Sequence, residues 1–271
     1  MTTQSHTSVR NFVASNERST ESLLADPFWT ALMTLTRIPA PRLAAAPDST
    51  TLGRSAVLYP LIGALLGGLA ALVFFCLDPW LPRGILTLVI IGFWALLTGT
   101  LHEDGLADTF DAFGSQHSRD GILRVLKDSR IGTYGALALG LALLLRWQGL
   151  NAIDGPSLAP TLIALQALPR AGIVALAYFA GPATDGTGST FAEAVRPHHV
   201  FLALALACTI CVPMLAGDLA ATTLSCLAVV AGCAIYFRRR LGGVTGDCLG
   251  AANQLQEIAM LLTLVALSGA A

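Results

Sequence analysis

Residues 56–77 read AVLYPLIGALLGGLAALVFFCL and contain no charged side chain. A helix needs about 20 consecutive, mostly apolar residues to cross the hydrocarbon core of a membrane. Gly63, Gly67 and Gly68 lie in this stretch, where small residues either let a second helix pack closely or are ordinary membrane glycines. The stretch predicts a transmembrane helix, and with it a membrane fold.

Further apolar stretches follow along the chain. They lie near residues 84–101, 131–147, 158–181, 200–216, 219–237 and 255–271. The chain of 271 residues is 54% hydrophobic and 12% charged, with a mean hydropathy of +0.67, whereas a soluble domain usually has about 25% charged residues. We predict an all-α fold, a polytopic membrane helical bundle with about seven transmembrane helices.

The start of the chain differs in character from the rest. Residues 1–25 are polar, rich in Ser and Thr, and lack the apolar core of a signal peptide, so we expect a mobile cytoplasmic tail there. Residues 27–39 are too few to span a membrane. Phe28, Leu32 and Leu35 fall close to one helical face, which indicates an amphipathic helix at the membrane interface. Residues 26–271 are expected to form a single integral membrane domain.

The distribution of basic residues predicts the orientation. With the N-terminus in the cytoplasm, every one of the sixteen Lys and Arg residues except Arg83, Arg146 and Arg170 lies on the cytoplasmic side. Arg83 and Arg146 then lie on the outer side and Arg170 within a span. An excess of basic residues on one side is typical of cytoplasmic loops. Three polar loops share that side, which suggests one shared site facing the cytoplasm; they are residues 102–130, 182–198 and 238–254.

The first polar loop begins with residues 102–111, HEDGLADTFD. On a helix, the spacing of Asp104, Asp108 and Asp111 puts three carboxylates on one face, where like charges repel. A divalent cation removes that repulsion, and Mg²⁺ binds carboxylate oxygens together with water and phosphate oxygens. The pattern favours a membrane enzyme that acts on a phosphate or diphosphate, with a solvated acidic helix end as the alternative.

Cations that suit a diphosphate follow in the same loop. Lys127 and Arg130 flank Asp128, and Arg offers two parallel donors to a phosphate where Lys offers a point charge. Ordinary basic anchoring at the membrane surface is the alternative. Arg170 follows Pro169 within the fourth apolar stretch, where a charge faces a cavity or a partner. Arg170 either binds substrate or pairs with an acid in the membrane, for which Glu257 is the candidate.

The other two polar loops are rich in glycine. Residues 185–191, DGTGSTF, form either an anion-binding backbone loop or a simple turn. In residues 241–254, LGGVTGDCLGAANQ, Asp247 opens a segment of small residues leading into the last span. Asp247 is either a helix N-cap or a further metal ligand or base. The net charge of −1, without a basic stripe that carries aromatic residues, argues against nucleic-acid binding.

Three segments together resemble a known family. Residues 102–111, 127–135 (KDSRIGTYG) and 242–251 (GGVTGDCLGA) resemble the signatures of the cobalamin synthase family, the adenosylcobinamide-GDP ribazoletransferases. Leu35-Thr-Arg-Ile-Pro39 and Tyr59-Pro60 look like its N-terminal pattern. The resemblance covers about residues 27–265. Gln254 stands where the resemblance leads us to expect an acid.

The resemblance implies a reaction and a location. Adenosylcobinamide-GDP and α-ribazole, or its 5′-phosphate, would give adenosylcobalamin, or its phosphate, and GMP with Mg²⁺ as cofactor. Domain 26–271 would be a transferase of the bacterial inner membrane, its active site facing the cytoplasm. The partners implied are these two substrates and the lipid membrane, and a homo-oligomer is left open.

Roles for residues follow from this reaction as hypotheses. Asp104, Asp108, Asp111 and Asp247 would hold Mg²⁺ at the diphosphate. Lys127, Arg130 or Arg170 would stabilise charge on the transferred group, with Asp128 beside them. Asp247 or His102 would accept the ribazole hydroxyl proton.

Two rival functions stay open on sequence grounds. Membrane prenyltransferases and CDP-alcohol phosphotransferases also use clustered aspartates with Mg²⁺, although the prenyl type would want a second DxxxD motif. A transporter would place ionisable groups near the membrane midplane, where this chain has only Arg170 and Glu257.

Overall fold

A computed structural model of the protein describes residues 27–39, 47–184 and 186–269. The tail predicted at residues 1–25 lies outside the described residues. Helices make up most of the described chain, and the β-structure within it is one isolated bridge between Pro182 and Val244. The prediction of an all-α membrane bundle is confirmed.

The described chain begins with four helices. Helix α1 covers residues 27–35, and its Leu32 and Leu35 are buried against the protein core. The apolar face of α1 therefore packs on the protein. The sequence predicted that this helix lies at the membrane interface. The helices that follow are α2 (Ser49–Val57), α3 (Tyr59–Leu77) and α4 (Arg83–Thr98).

A sharp break separates α4 from the next helix, α5 (Leu101–Ser115), whose axis is turned by 88°. Gly99 and Thr100 lie at the break with φ values of +64° and +59°. A left-handed conformation ends a helix, and glycine adopts it without steric cost. The acidic segment 102–111 thus forms its own helix rather than a loop.

The rest of the chain alternates long apolar helices with short polar connections. The remaining elements are α6 (Arg119–Val125), α7 (Thr133–Ala152), α8 (Gly155–Ala180), α9 (Thr187–Ala194), α10 (Pro197–Leu215), a 3₁₀ turn (Ala216–Asp218), α11 (Leu219–Leu241) and α12 (Gly246–Leu267).

Five helices of the described chain are long and apolar enough to cross a membrane: α3, α8, α10, α11 and α12. If the bent pair of α4 and α5 is counted as one span, the described chain has up to six candidate spans. Helix α7, which corresponds to the predicted stretch 131–147, is 20 residues long but falls outside this set.

Helix α8 is the centre of the bundle. It packs against α3, α10, α11 and α12, and most of its residues are buried. Helix α3 approaches it closely, because a Cβ on Gly63 would overlap the Gln166 carbonyl and one on Gly67 would overlap the α8 backbone at Leu162 and Ile163. Gly63 and Gly67 are thus packing glycines, whereas Gly68 faces open space.

Candidate active site

The second and third polar loops are joined by backbone hydrogen bonds. Val244 N–H donates to the Gly181 carbonyl at 2.8 Å, and Ala183 N–H donates to the Val244 carbonyl at 3.1 Å. These bonds form the short parallel bridge between residues 182 and 244. Two loops that are about sixty residues apart in the sequence therefore form one surface.

Arg119 connects the first polar loop to this pair. Its guanidinium donates to the Leu241 carbonyl at 2.9 Å and to the Ala183 carbonyl at 2.7 Å. One side chain thereby holds all three polar loops together. The sequence marked Arg119 only as one of the basic residues on its side of the membrane.

The acidic helix α5 crosses the start of α12 at very short range. A Cβ on Gly105 would lie 2.8 Å from the Asp247 backbone oxygen, and one on Gly250 would lie 3.4 Å from the His102 Cα. Glycines at both positions let the backbones approach this closely. The crossing brings Asp247 beside the segment that carries Asp104 and Asp108.

The N-cap alternative for Asp247 does not hold. Thr245 is the N-cap residue of α12, and its hydroxyl accepts from Cys248 N–H at 3.4 Å. The Asp247 carboxylate accepts a long contact, 3.4 Å, from the Thr245 hydroxyl. Asp247 lies in the first turn of α12, where backbone N–H groups favour negative charge.

Two cavities meet at Asp247. The first has a volume of about 260 Å³ and is lined by His102, Asp104 and Asp247, together with the rings of Tyr59 and Phe191. Those two rings stack with their centroids 5.0 Å apart.

The second cavity, of about 200 Å³, is lined by Lys127 and Asp247 and by the glycine-rich segment 186–189. Gly188, Gly246 and Asp247 line both cavities. The glycine-rich segment includes the start of α9, which has no side-chain cap. Uncapped N–H groups at a helix start bind anions. The second cavity thus combines a cation with the backbone N–H groups of a helix start, which is the environment a phosphate group needs.

The carboxylates of the two crossing helices repel one another. Asp104, Asp247 and Asp111 each act as a negative charge on Asp108, which is half-buried. Among the described residues, however, no group of three or more His, Cys, Asp or Glu side chains is gathered closely enough to hold a metal ion alone. Mg²⁺ usually binds one or two carboxylates together with water and substrate phosphates. Asp104 and Asp247, which line one cavity, fit that donor set, and Asp108 lies close enough to feel the charge of both.

Asp111 differs from the other three aspartates. Its carboxylate is buried and accepts from Gly132 N–H at 2.6 Å and from Gly135 N–H at 2.8 Å. Both oxygens thus receive backbone donors at the start of α7. The structure gives Asp111 a capping contact, and its predicted metal role stays a prediction.

The predicted cations separate in the structure. Lys127 lines the second cavity. Arg130 instead pairs with Asp128, Nη2 to Oδ2 at 2.7 Å, on the exposed surface. Hydrogen bonds from the Arg130 side chain hold the pKa of Asp128 at about 2. Of these three residues, the structure brings only Lys127 into the walls of the two cavities.

Arg170 is completely buried and lines neither cavity. Its Nη1 donates to the Gln166 carbonyl at 2.7 Å and lies 3.9 Å from Glu257 Oε1. The alternative of a pair with Glu257 is therefore the arrangement that the structure has.

A buried polar network, which the sequence did not reveal, lies below the acidic helix. Arg146 Nη1 donates to Glu103 Oε1 at 2.9 Å and to Gln254 Oε1 at 2.9 Å, and its Nη2 is 3.1 Å from Glu257 Oε2. Arg146, which was predicted to lie on the outer side, lies in the interior of the bundle, because α7 carries it there. The charge of Arg146 within the otherwise apolar stretch 131–147 was the available signal.

Comparison with known proteins decides the family. The family model for cobalamin-5-phosphate synthase matches residues 27–265, a range that contains both cavities and the three polar loops. The chain belongs to this family.

Curated relatives have the same assignment. A protein of Shewanella baltica (strain OS155) named adenosylcobinamide-GDP ribazoletransferase is 38% identical over 258 residues, which cover 92% of this chain and 97% of the relative. A protein of the same name from Shewanella oneidensis is 35% identical over 262 residues, covering 94% and 99%. No solved structure matches the chain.

Proposed function

We propose that this protein joins adenosylcobinamide-GDP to α-ribazole, or to α-ribazole 5′-phosphate, and releases GMP. The single observation that carries the proposal is the position of Asp247 between two cavities. One carries acidic residues and His102, and the other carries Lys127 and the backbone N–H groups at the start of α9. A diphosphate needs such a combination of cations, donors and metal ligands.

The bonds that change are at the cobinamide-linked phosphorus. A ribazole hydroxyl oxygen attacks this phosphorus, and the bond to the oxygen that bridges to the guanosine phosphate breaks. The hydroxyl proton passes to a base, and GMP carries away the bridging oxygen. The products are adenosylcobalamin, or its 5′-phosphate, and GMP.

Residues of the two cavities divide the tasks. Lys127 and the N–H groups at the start of α9 bind phosphate oxygens in the second cavity. Asp104, Asp108 and Asp247 are the residues that would hold Mg²⁺, which neutralises charge on the diphosphate when bound. His102 and Asp247 line the first cavity and are the candidates for the base that accepts the ribazole proton.

We place the site at the cytoplasmic face of the bacterial inner membrane. The distribution of basic residues supports this orientation. A cysteine introduced at Ser118, in a variant without the six native cysteines, should react with an impermeant maleimide in inside-out vesicles. Labelling only in right-side-out vesicles would reverse the orientation.

The reaction is tested directly with membranes that contain the protein. Adenosylcobinamide-GDP, α-ribazole and Mg²⁺ are added, and adenosylcobalamin and GMP are measured by mass spectrometry. We expect both products, and their loss when EDTA is added. Absence of product from correctly inserted protein would overturn the proposal, and prenyl and CDP-alcohol donors would then be tried. Product that persists in EDTA would refute the metal requirement alone.

A further inference from the structure

A third cavity, of about 610 Å³, lies outside the site described above. It is bordered by the start of α1, by α2, by the end of α9 and by the start of α10. Four of its lining residues are basic or titratable: Arg54, Arg196, His198 and His199. We call it the basic groove.

The cations of the basic groove have few partners. Arg54 and Arg196 are exposed, and neither guanidinium forms an ion pair or a side-chain hydrogen bond within the described residues. Asp48 is close enough to Arg54 for their charges to interact, but the Asp48 carboxylate accepts from Thr51 N–H and forms no ion pair with Arg54 within the described residues. Two arginines on the wall of one cavity make a strong field for an anion.

The two histidines are arranged so that one of them is fixed. His198 and His199 pack together with ring centroids 4.0 Å apart. His199 is only 8% exposed, and its Nδ1 accepts from Arg196 N–H at 3.1 Å. In the neutral ring the proton then lies on Nε2, which makes that atom a donor. His199 thus lines the groove as a fixed ring, together with the two arginines.

Apolar side chains form the other part of the wall. Val57, Leu58 and Leu202 line the groove together with the basic residues. Leu202 lies on α10, one of the helices that are apolar enough to span a membrane, and its neighbour Phe201 is 70% exposed. The groove is therefore basic at the start of α10 and apolar at Leu202, the next turn of that helix, and this change from charged to apolar matches a phospholipid.

We propose that the basic groove binds the headgroup of an anionic phospholipid, with Arg54 and Arg196 on the phosphate and an acyl chain along Leu202. Basic pockets between membrane helices bind anionic headgroups in this way. The ligand lies next to the catalytic cavity, because Leu58 and Ala194 line the groove while Tyr59 and Phe191, on the same two segments, line the cavity with Asp104. The inference concerns lipid binding and does not depend on the proposed reaction.

The test measures the thermal unfolding of the full chain in neutral detergent. Phosphatidylglycerol or phosphatidylcholine is added, and lipids that stay bound are counted by native mass spectrometry. We expect phosphatidylglycerol to raise the unfolding temperature and phosphatidylcholine to have little effect. In the double variant Arg54→Gln/Arg196→Gln, the affinity for phosphatidylglycerol should fall by roughly 10- to 30-fold.

Matched variants separate the groove from general surface charge. Arg239→Gln removes an exposed arginine elsewhere on the same polar side, and it should keep the response of the native protein. The double variant Arg54→Lys/Arg196→Lys keeps both charges and should keep most of the stabilisation by phosphatidylglycerol. All variants should unfold like the native protein in phosphatidylcholine, because the two side chains have no partners within the described residues to lose.

Two results would overturn the proposal. The first is an equal response to phosphatidylglycerol in the native protein and in the double glutamine variant. The second is stabilisation by inorganic phosphate or GDP, lost in that variant, without a response to phosphatidylglycerol. The second result would assign the groove to a soluble phosphate ligand.

Discussion

At the scale of single residues, the four aspartates predicted as metal ligands differ in the partners of their carboxylates. Asp111 receives two backbone donors, whereas Asp104 and Asp247 line the cavity in which a substrate would bind. Carboxylates on one face of α5 therefore serve different purposes. The difference arises because α7 begins beside Asp111. The two donors, Gly132 and Gly135, are 21 and 24 residues from Asp111 in the sequence.

The change of Asp104 or Asp247 to Asn should abolish most of the activity. Each substitution removes a negative oxygen from the cavity at the proposed diphosphate site, and we expect turnover to fall roughly 100-fold or more. Product formation in membranes measures the effect, and equal protein levels show that insertion is intact. Asp78→Asn, at the exposed end of α3, is the matched control and should be fully active. Normal turnover in Asp104→Asn would refute its role.

Asp111→Asn should act mainly on stability. An amide has one acceptor oxygen, so one of the two backbone donors at the start of α7 loses its charged partner, at a cost of about 1–2 kcal/mol. Unfolding in detergent, compared with that of Asp108→Asn, measures the difference. If Asp111→Asn unfolds like the native protein and yet loses turnover, the capping account fails and the metal role gains support.

At the scale of elements, glycines decide which helices approach closely. Gly63 and Gly67 put α3 against α8, and Gly105 and Gly250 put α5 against α12. The first pair builds the bundle, whereas the second brings the carboxylates of two helices to one place. Small residues are the usual means of close packing between membrane helices, where the hydrophobic effect contributes little to association.

Gly67→Val and Gly68→Val form a matched test of this packing. The valine at residue 67 would overlap the α8 backbone at Ile163, whereas Gly68 has no neighbouring atom within 4 Å. We expect Gly67→Val to lower the free energy of unfolding by about 1–3 kcal/mol. Gly68→Val should unfold within error of the native protein. Equal effects at the two positions would contradict the assigned interface, and thermal unfolding in detergent gives the answer.

At the scale of the whole molecule, a buried charge network links the helices below the site. Arg146 on α7 contacts Glu103 on α5 and Glu257 on α12, and Arg170 on α8 lies near Glu257. Gln254, where the family resemblance suggested an acid, donates to Glu103 at 3.0 Å and lies beside Arg146. The network joins four helices and fixes the segment that carries His102 and Asp104.

Arg146→Met should destabilise the protein strongly, and a second change should restore part of the loss. The methionine leaves Glu103 buried without an arginine and Glu257 with only Arg170 at 3.9 Å, and breaking a buried pair costs about 3–5 kcal/mol. Adding Glu103→Gln removes one of the uncompensated charges, so the double variant should be more stable than Arg146→Met alone. Denaturant unfolding in detergent measures both. A double variant that is less stable than the single one would show that the two charges are not coupled.

The sequence by itself determined the class of fold, the family and the segments that carry the chemistry. Long apolar stretches must form helices in a membrane because no water is present to satisfy their backbone groups, and the three polar motifs are local in the chain. The break at residues 99–100 and the start of α12 at Gly246, by contrast, needed the structure to fix their positions.

Only the tertiary structure decided which polar residues meet. Asp247 lies beside Gly105, and Lys127 lines the same cavity as the start of α9. Arg119 connects the three polar loops through its hydrogen bonds. It also separated Asp111 and Arg130 from the cavities and carried Arg146 into the interior. Such pairings depend on how helices that are distant in sequence cross and on which backbones can approach. Spacing along one helix predicts a shared face, but the neighbours of that face are set by the packing of the whole bundle.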